Sequence, residues 1–209
     1  MDIKRIDVYD DVRFSRTALL EHGAYLVDGE PYEFEIVARD AAVVRGPDKA
    51  KYCELIEEFR FHAPQITVFT DGSGAPVANY PPCERFMVEL SSIQPSQFLV
   101  DETKLSAVGS FIRSPEDVVV QVLKWGDRWV ALDGHTRLCF AARLGFRSVY
   151  AVISEGFDPL WVFVEEAQRR GVRSPSDLPV VSHAEYLRVW DGYCDSVFCA
   201  QAEQNTNQN

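Results

Sequence analysis

Five consecutive residues near the middle of the chain carry more chemistry than a connecting loop needs. Within the stretch LDGHTRLCFAARLG, residues 132–145, they are Asp133, Gly134, His135, Thr136 and Arg137. A glycine lets the backbone approach a ligand closely, and a hydroxyl, an imidazole and a guanidinium can donate hydrogen bonds to a phosphate. The carboxylate can hold a metal, orient the guanidinium or act as a base. We therefore expect an anion site in this loop.

The predicted elements place this loop at the start of a helix. A strand precedes it, a short helix is predicted over Thr136–Leu144 with Gly145 as its closing residue, and the buried strand SVYAVI follows. This order predicts a βαβ unit. The free N–H groups and the dipole at a helix N-terminus attract anions. A cation such as Arg137 opposes that dipole, which favours a functional reason for its position.

Each of these residues also has a structural interpretation that the sequence leaves open. Asp133 and Gly134 can simply form the turn, with Asp133 as the helix cap. His135 can be an exposed loop residue. Arg137 can pair with one of the many acidic side chains, since the chain has 32 acidic and 21 basic residues.

Composition restricts the classes of protein that this chain can belong to. Its 209 residues, 46% hydrophobic and 25% charged, suffice for one full core and a small accessory lobe. A net charge of −11 repels nucleic acid, so DNA is not an expected partner. We expect neither a signal peptide nor a membrane span. Five cysteines without a CxxC pair favour free thiols and a cytoplasmic location, and four scattered histidines predict no structural metal site.

The chain is predicted to be an α/β (α+β) protein in four parts. The first is rich in strands, with a hairpin at Asp28-Gly29, a helix capped by Asp48 and a second hairpin around residues 71–74. The four parts are an N-terminal α/β accessory lobe at 1–85, a core at 86–155, a helical extension at 156–199 and a disordered tail at 200–209.

The predicted core has its own start and stop signals. FMVELSSI is a strand candidate, Asp101 can cap the helix that follows, and two strands are joined at Gly126-Asp127. In the helical extension, Asp158-Pro159 predicts one helix start, and Ser182 with Glu185 predicts a capping box at another.

The stretch VQVLKWGDRWVALDGHTRLCFAARLGFRSVYAVI resembles the core of the ParB/sulfiredoxin superfamily, in which a strand ends in a short Gly-x-x-Arg motif. The residues that fall on this pattern are Gly134, Arg137, Ala141, Ala142, Gly145 and Val149. VELSSIQPSQFLVDETKLSAVGSFI resembles the earlier strand-plus-helix box of the same superfamily. The resemblance covers residues 86–153. It implies a ParB/sulfiredoxin-like core between a β-rich N-terminal lobe and a helical C-terminal segment.

The variable positions of the motif separate the members of the superfamily. Sulfiredoxins carry a nucleophilic cysteine directly after the glycine, where this chain has His135. Chromosome-partitioning ParB proteins carry Glu-Arg-Arg there and bind CTP and DNA, and only Arg137 matches them. The Asp-Gly-His-x-Arg motif of the free serine kinase-type members matches at all four positions. That resemblance implies that Gly134, His135, Thr136 and Arg137 cradle the nucleotide phosphates.

The same resemblance supplies the expected function. Asp133, His135 and Glu102 are the candidate catalytic residues, with Asp133 as a base or a metal-linked acid and Glu102 as the nearest counterpart of the family's second acid. The expected cofactor is ATP, ADP or CTP with Mg²⁺, and the expected reaction is phosphotransfer to a small hydroxylated metabolite. Two alternatives stay open: a non-catalytic ParB-like adaptor or DNA-associated regulator, and a nucleotide sensor without catalysis. A homodimer is compatible with each.

Overall fold

The computed structural model describes residues 1–206 of the chain. These residues form an α+β protein of two compact units, one at Met1–Arg85 and one that begins at Phe86, so the predicted fold class is confirmed at that level. Within the described part of the chain, every helix is too short or too polar to cross a lipid bilayer.

The first unit is a six-stranded sheet with two helices. The strands follow one another in chain order, and every neighbouring pair is antiparallel except β4 and β5, which α2 connects as a parallel pair. The elements are β1 (Ile3–Arg5), α1 (Arg16–Leu20), β2 (Ala24–Val27), β3 (Glu30–Ala38), β4 (Ala41–Arg45), α2 (Tyr52–His62), β5 (Val68–Asp71) and β6 (Pro76–Asn79).

Local sequence signals explain most of this unit. Asp28 and Gly29 both have positive φ, and Val27 pairs with Glu30 across them, as a two-residue hairpin turn requires. The Asp48 side chain accepts a hydrogen bond from the Ala50 amide at the start of a 3₁₀ turn that leads into α2. The hairpin and the cap are both confirmed.

The second unit holds the loop of interest in a five-stranded sheet with the order β7-β12-β10-β11-β8 and a small parallel pair of β13 with β9. Its elements are β7 (Phe86–Glu89), β8 (Ile93–Pro95), β9 (Val100–Asp101), α3 (Glu102–Val108), β10 (Val119–Trp125), β11 (Arg128–Ala131), α4 (His135–Arg143), β12 (Ser148–Ile153), α5 (Leu160–Arg169), β13 (Val180–Val181), α6 (His183–Tyr186) and α7 (Gly192–Thr206).

The strand pairing corrects the expected βαβ unit. β11 is antiparallel to β10, and β10 is parallel to β12, so the two strands that flank α4 run in opposite directions with β10 between them. The true parallel pairs are β8 with β11 and β10 with β12. The order of elements along the chain was right, but pairing depends on contacts across the sheet that the order does not fix.

The C-terminal part differs from the prediction in four ways. It contributes a strand, β13, which pairs with β9. A π-helical turn over Leu187–Asp191 connects α6 to α7. Helix α7 continues to Thr206, so residues 200–206, which were expected to be disordered, are helical, while 207–209 lie outside the described residues. Pro159 caps α5 and the helix begins at Leu160, one residue later than expected.

Candidate functional site

The candidate loop lies at one edge of the five-stranded sheet. β8 and β11 run parallel, so Pro95 and Ala131, which pair in register, are the last residues of their strands at this edge. β10 runs the other way and begins there at Val119. Residues 132–134 then turn the chain from β11 into α4. The ends of parallel strands are a common place for ligand sites in sheets of this kind.

Gly134 has no acceptable substitute at this position. Its φ of +81° lies in the left-handed region, and it is the N-cap residue of α4. A Cβ added there would lie 2.7 Å from Val120 Cγ1 and 3.2 Å from Arg137 Nη2. Because the cap is a glycine, Asp133 does not cap the helix, and that structural interpretation of Asp133 is wrong.

The first backbone amides of α4 can donate hydrogen bonds to a ligand. The Leu138 amide donates to the Gly134 carbonyl at 2.9 Å, and the amides before it have no acceptor within the helix. The N-cap residue, Gly134, has no side chain that could accept from these amides. Thr136, in the first turn, is half-buried. The helix dipole therefore ends in amide donors that favour an anion.

Arg137 is held across the beginning of α4. Its Nη1 donates to the Val119 carbonyl at 2.6 Å, and its Nη2 lies 3.7 Å from Asp133 Oδ2. The Arg137 side chain is 22% exposed and that of Asp133 is 44% exposed. The carbonyl holds the guanidinium in place, and the Asp133 carboxylate lies beside it. An incoming phosphate can therefore meet a guanidinium that is already oriented.

The structure places His135 inside the protein. The ring is only 6% exposed, and its Nε2 accepts hydrogen bonds from the Ser96 amide at 3.1 Å and the Gln97 amide at 3.3 Å. Burial lowers the pKa of His135 to about 4, although nearby Asp133 and a hydrogen bond with the Ala131 backbone oppose the shift. The imidazole is neutral and joins the ends of β8 and β11. This position does not fit the expected contact with phosphate or the expected catalytic role, nor the alternative of an exposed loop residue.

The buried acid at the start of α3 is Asp101 and not Glu102, which was expected to be the second catalytic acid. Glu102 is the exposed first residue of α3. Asp101, directly before it, is fully buried: its Oδ1 accepts from the Thr103 amide at 2.7 Å, as the predicted cap, and its Oδ2 lies 2.6 Å from His183 Nδ1. Sequence reasoning treated His183 as one of four scattered histidines. Its partner is 82 residues away, so only the fold could reveal the pair.

Polar side chains are concentrated in the interior near this edge. Gln97 connects the loop to the C-terminal helices, since its amide binds His135 and its side-chain Nε2 lies 2.6 Å from the Leu99 carbonyl and 3.4 Å from the Tyr186 hydroxyl. Burial raises the pKa of Tyr186. The buried polar residues of the second unit are Gln94, Ser96, Gln97, Asp101, Gln121 and His135.

A metal cage made by the protein alone is absent from the described residues, where no group of three or more His, Cys, Asp or Glu side chains could hold an ion. The loop contributes one partly exposed carboxylate, Asp133. Mg²⁺ commonly takes one or two carboxylates and completes its coordination with water and substrate phosphates. Asp133 is therefore the loop residue that could contact a Mg²⁺ ion.

Comparisons with known proteins give only distant structural likenesses. No family model matches the chain, and no curated protein matches it. A crystal structure of a protein from Agrobacterium tumefaciens is similar with 14% identity and a TM-score of 0.33, over 48% of this chain and 64% of that one. A conserved hypothetical protein from Pyrococcus furiosus is similar with 25% identity and a TM-score of 0.30, over 36% of this chain and 34% of that one. The chain thus spans less than two thirds of either protein.

Proposed function

We propose that this protein binds the phosphates of a nucleotide at the N-terminus of α4 and transfers a phosphoryl group to a small hydroxylated molecule. The observation that carries the proposal is the arrangement at that terminus: amides without helical acceptors, a left-handed Gly134 with no room for a Cβ, and the Arg137 guanidinium held across the turn by the Val119 carbonyl. Amides and a guanidinium together form a phosphate site.

The residues of the loop would have separate roles in that site. Gly134 lets the backbone approach the phosphate, Thr136 offers its hydroxyl, and Arg137 supplies the positive charge. Asp133 would hold Mg²⁺, which neutralises charge on the phosphates when it is bound. His135 supports the loop from inside, through its hydrogen bonds to the Ser96 and Gln97 amides. The resemblance to the ParB/sulfiredoxin superfamily, and to its free serine kinase-type members in the Asp-Gly-His-x-Arg motif, belongs to this proposal.

The proposed setting is the cytoplasm. Each of the five cysteines, all within the described residues, is a free thiol, which suits a reducing compartment. The net charge of −11 favours a small anionic ligand held locally over a nucleic acid bound along an extended basic surface.

A thermal-shift panel tests the proposal. All four tryptophans lie in the second unit, so their fluorescence reports the unfolding of the unit that holds the loop. ATP, ADP, CTP and GTP with Mg²⁺ would be added to wild type, Arg137→Ala and Arg143→Ala, the last being an exposed arginine at the other end of α4. A ligand at about 100 times its dissociation constant adds about 2.7 kcal/mol of stability.

We expect a nucleotide shift in wild type and in the Arg143 variant but not in the Arg137 variant. No shift with any nucleotide would contradict the proposal. A duplex DNA arm distinguishes the alternative, because a shift with DNA and not with nucleotides would favour the ParB-like adaptor or DNA-associated regulator.

A further inference from the structure

A pair of side chains that could act in acid–base chemistry lies at the ends of the short parallel strands β9 and β13. Asp101 and Val181 pair in register, and α3 and α6 both begin just after them. The fully buried Asp101 carboxylate reaches His183 Nδ1 at 2.6 Å with its Oδ2, while its Oδ1 is used by the Thr103 amide. The His183 side chain is 46% exposed. We refer to these two residues as the Asp–His pair.

The geometry fixes which ring nitrogen can react. A carboxylate oxygen accepts hydrogen bonds, so the proton of a neutral His183 sits on Nδ1, and Nε2 keeps its lone pair. The same carboxylate stabilises the imidazolium that forms when Nε2 takes a proton. A buried acid behind a half-exposed histidine is the arrangement that enzymes use to orient a general base.

The Asp–His pair is connected to the α4 loop through one short segment. Gln97 donates its backbone amide to His135 and its side chain to the Tyr186 hydroxyl. Tyr186 lies one helical turn after His183 in α6. α4 packs against both β9 and α3. The pair and the loop are thus linked through Gln97 and Tyr186.

We propose that His183, oriented by Asp101, is the general base of the phosphotransfer, an inference that rests on the proposed function. His183 Nε2 removes the proton of the acceptor hydroxyl as the hydroxyl oxygen bonds to the terminal phosphorus of a nucleoside di- or triphosphate. The bridging P–O bond breaks, and the nucleotide leaves with that electron pair and one phosphate fewer. The imidazolium then returns its proton to solvent. In this proposal His183 takes the role of base for which Asp133 was a candidate, and neither His135 nor Glu102 acts as a catalytic residue.

The competing explanation is that the Asp–His pair only attaches α6 to β9. Chemical rescue separates the two roles, because free imidazole can replace a missing base but cannot replace a missing structural contact. Asp101 is a positioning residue in this proposal: Asp101→Asn removes the negative charge and replaces one of the two acceptor oxygens with an NH₂ donor, so the ring loses the partner that holds its proton on Nδ1.

The first experiment maps the site with diethyl pyrocarbonate, which modifies unprotonated histidine nitrogens. The full chain would be treated with and without Mg·ATP and Mg·ADP, and the rate at each histidine followed by mass spectrometry. We expect His183 to react at least about tenfold faster than the buried His135, and nucleotide to slow His183 but not His22 or His62 in the first unit. A nucleotide that stabilises the protein and leaves the rate at His183 unchanged would overturn this inference alone.

The second experiment measures phosphoryl transfer from Mg·ATP and Mg·ADP to water and to a panel of small alcohols and hydroxy acids. Loss of a general base costs about 10²–10⁴-fold in rate. We expect His183→Ala to fall in that range, to keep the nucleotide-induced thermal shift and to regain at least about tenfold with added imidazole, while His62→Ala equals wild type. Wild-type activity in His183→Ala, or loss without rescue, would overturn the inference alone. No transfer by wild type, or no nucleotide shift in wild type, would overturn the proposed function with it.

Discussion

The two units differ in what they bury. The core of the first is dominated by aromatic rings, with Phe34 stacked on Phe59 at 4.1 Å and Tyr25 and Phe69 packed edge-on against them. Its buried polar residues are Thr67 and Asp71. The core of the second is mainly aliphatic, and six of the buried residues that the structure describes there are polar.

The aromatic core of the first unit mainly supplies stability, whereas the polar interior of the second unit mainly orients side chains. Rings that pack edge to face bury much apolar area and need few polar partners. Buried amides, hydroxyls and an imidazole require complete hydrogen bonding, which adds little net stability but fixes side chains in one arrangement. The polar interior of the second unit lies behind the α4 loop and the Asp–His pair, where orientation matters most. The following changes test that contrast.

The largest effect on stability is expected in the aromatic core. Phe59 is 3% exposed, whereas Phe61, two residues later on α2, is 71% exposed. Phe59→Ala should lower the free energy of unfolding of the first unit by about 3–5 kcal/mol, and Phe61→Ala should change it by less than about 0.5 kcal/mol. Urea unfolding followed by far-UV circular dichroism measures both. Similar losses for the two variants would show that the stacked rings do not dominate this core.

Gly134→Ala should produce a comparable loss in the second unit, for a different reason. The left-handed backbone costs an alanine roughly 1–2 kcal/mol, and overpacking against Val120 adds roughly 1–3 kcal/mol. The control is Gly145→Ala: φ there is +76°, but apart from its chain neighbours no described residue has an atom within 4 Å of the added Cβ. Gly145→Ala should then lower the free energy of unfolding only by the cost of the left-handed backbone. Equal losses in urea unfolding monitored by tryptophan fluorescence would contradict the close packing at Gly134.

The buried imidazole of His135 makes the second unit sensitive to acid. The unfolded ring takes up a proton near pH 6.5, but the folded ring does so only near its lowered pKa of about 4. The unfolded state therefore binds more protons between these values, and stability falls as pH is lowered from about 6.5 to 4, by about 3 kcal/mol from this group.

His135→Gln isolates that contribution. The variant should be less stable than wild type at pH 7, and the difference between the two should shrink as pH approaches 4. Urea midpoints across this range give the comparison. A constant difference at every pH would contradict a neutral, buried His135.

The smallest effect on stability is expected at Asp133. Its contact with Arg137 is 3.7 Å long and partly exposed, and pairs of this kind contribute little. Asp133→Asn should change the unfolding free energy by less than about 0.5 kcal/mol and still weaken binding of Mg·ADP in calorimetry. A large loss of stability together with unchanged binding would make Asp133 a structural residue instead.

Features that depend on neighbouring residues could be predicted from the sequence. The turns at Asp28-Gly29 and Gly126-Asp127, the cap at Asp101 and the closing Gly145 of α4 are confirmed, since each depends on a few adjacent residues. The orientation of β12 relative to β11 was predicted wrongly, because strand pairing is decided by the whole sheet.

In the candidate site, too, only features of adjacent residues could be predicted. The loop at residues 133–137 was found because its chemistry is contiguous in the chain. The burial of His135 could not be predicted, because it depends on the Ser96 and Gln97 amides about forty residues earlier. The Asp101–His183 contact also joins distant segments. Because Asp101 and Glu102 are adjacent acids, the sequence could not show which of the two is buried.

The measurement that tests the central claim most directly is the response of the backbone amides to phosphate in solution. With the chain labelled with ¹⁵N, inorganic phosphate and then Mg·ADP would be titrated while the amide resonances are followed. The account predicts that the largest shifts fall on residues 134–137 and that Arg137→Ala removes them while Arg143→Ala does not. Shifts confined to other parts of the chain, or equal shifts in the Arg137 variant, would contradict a phosphate site at the N-terminus of α4.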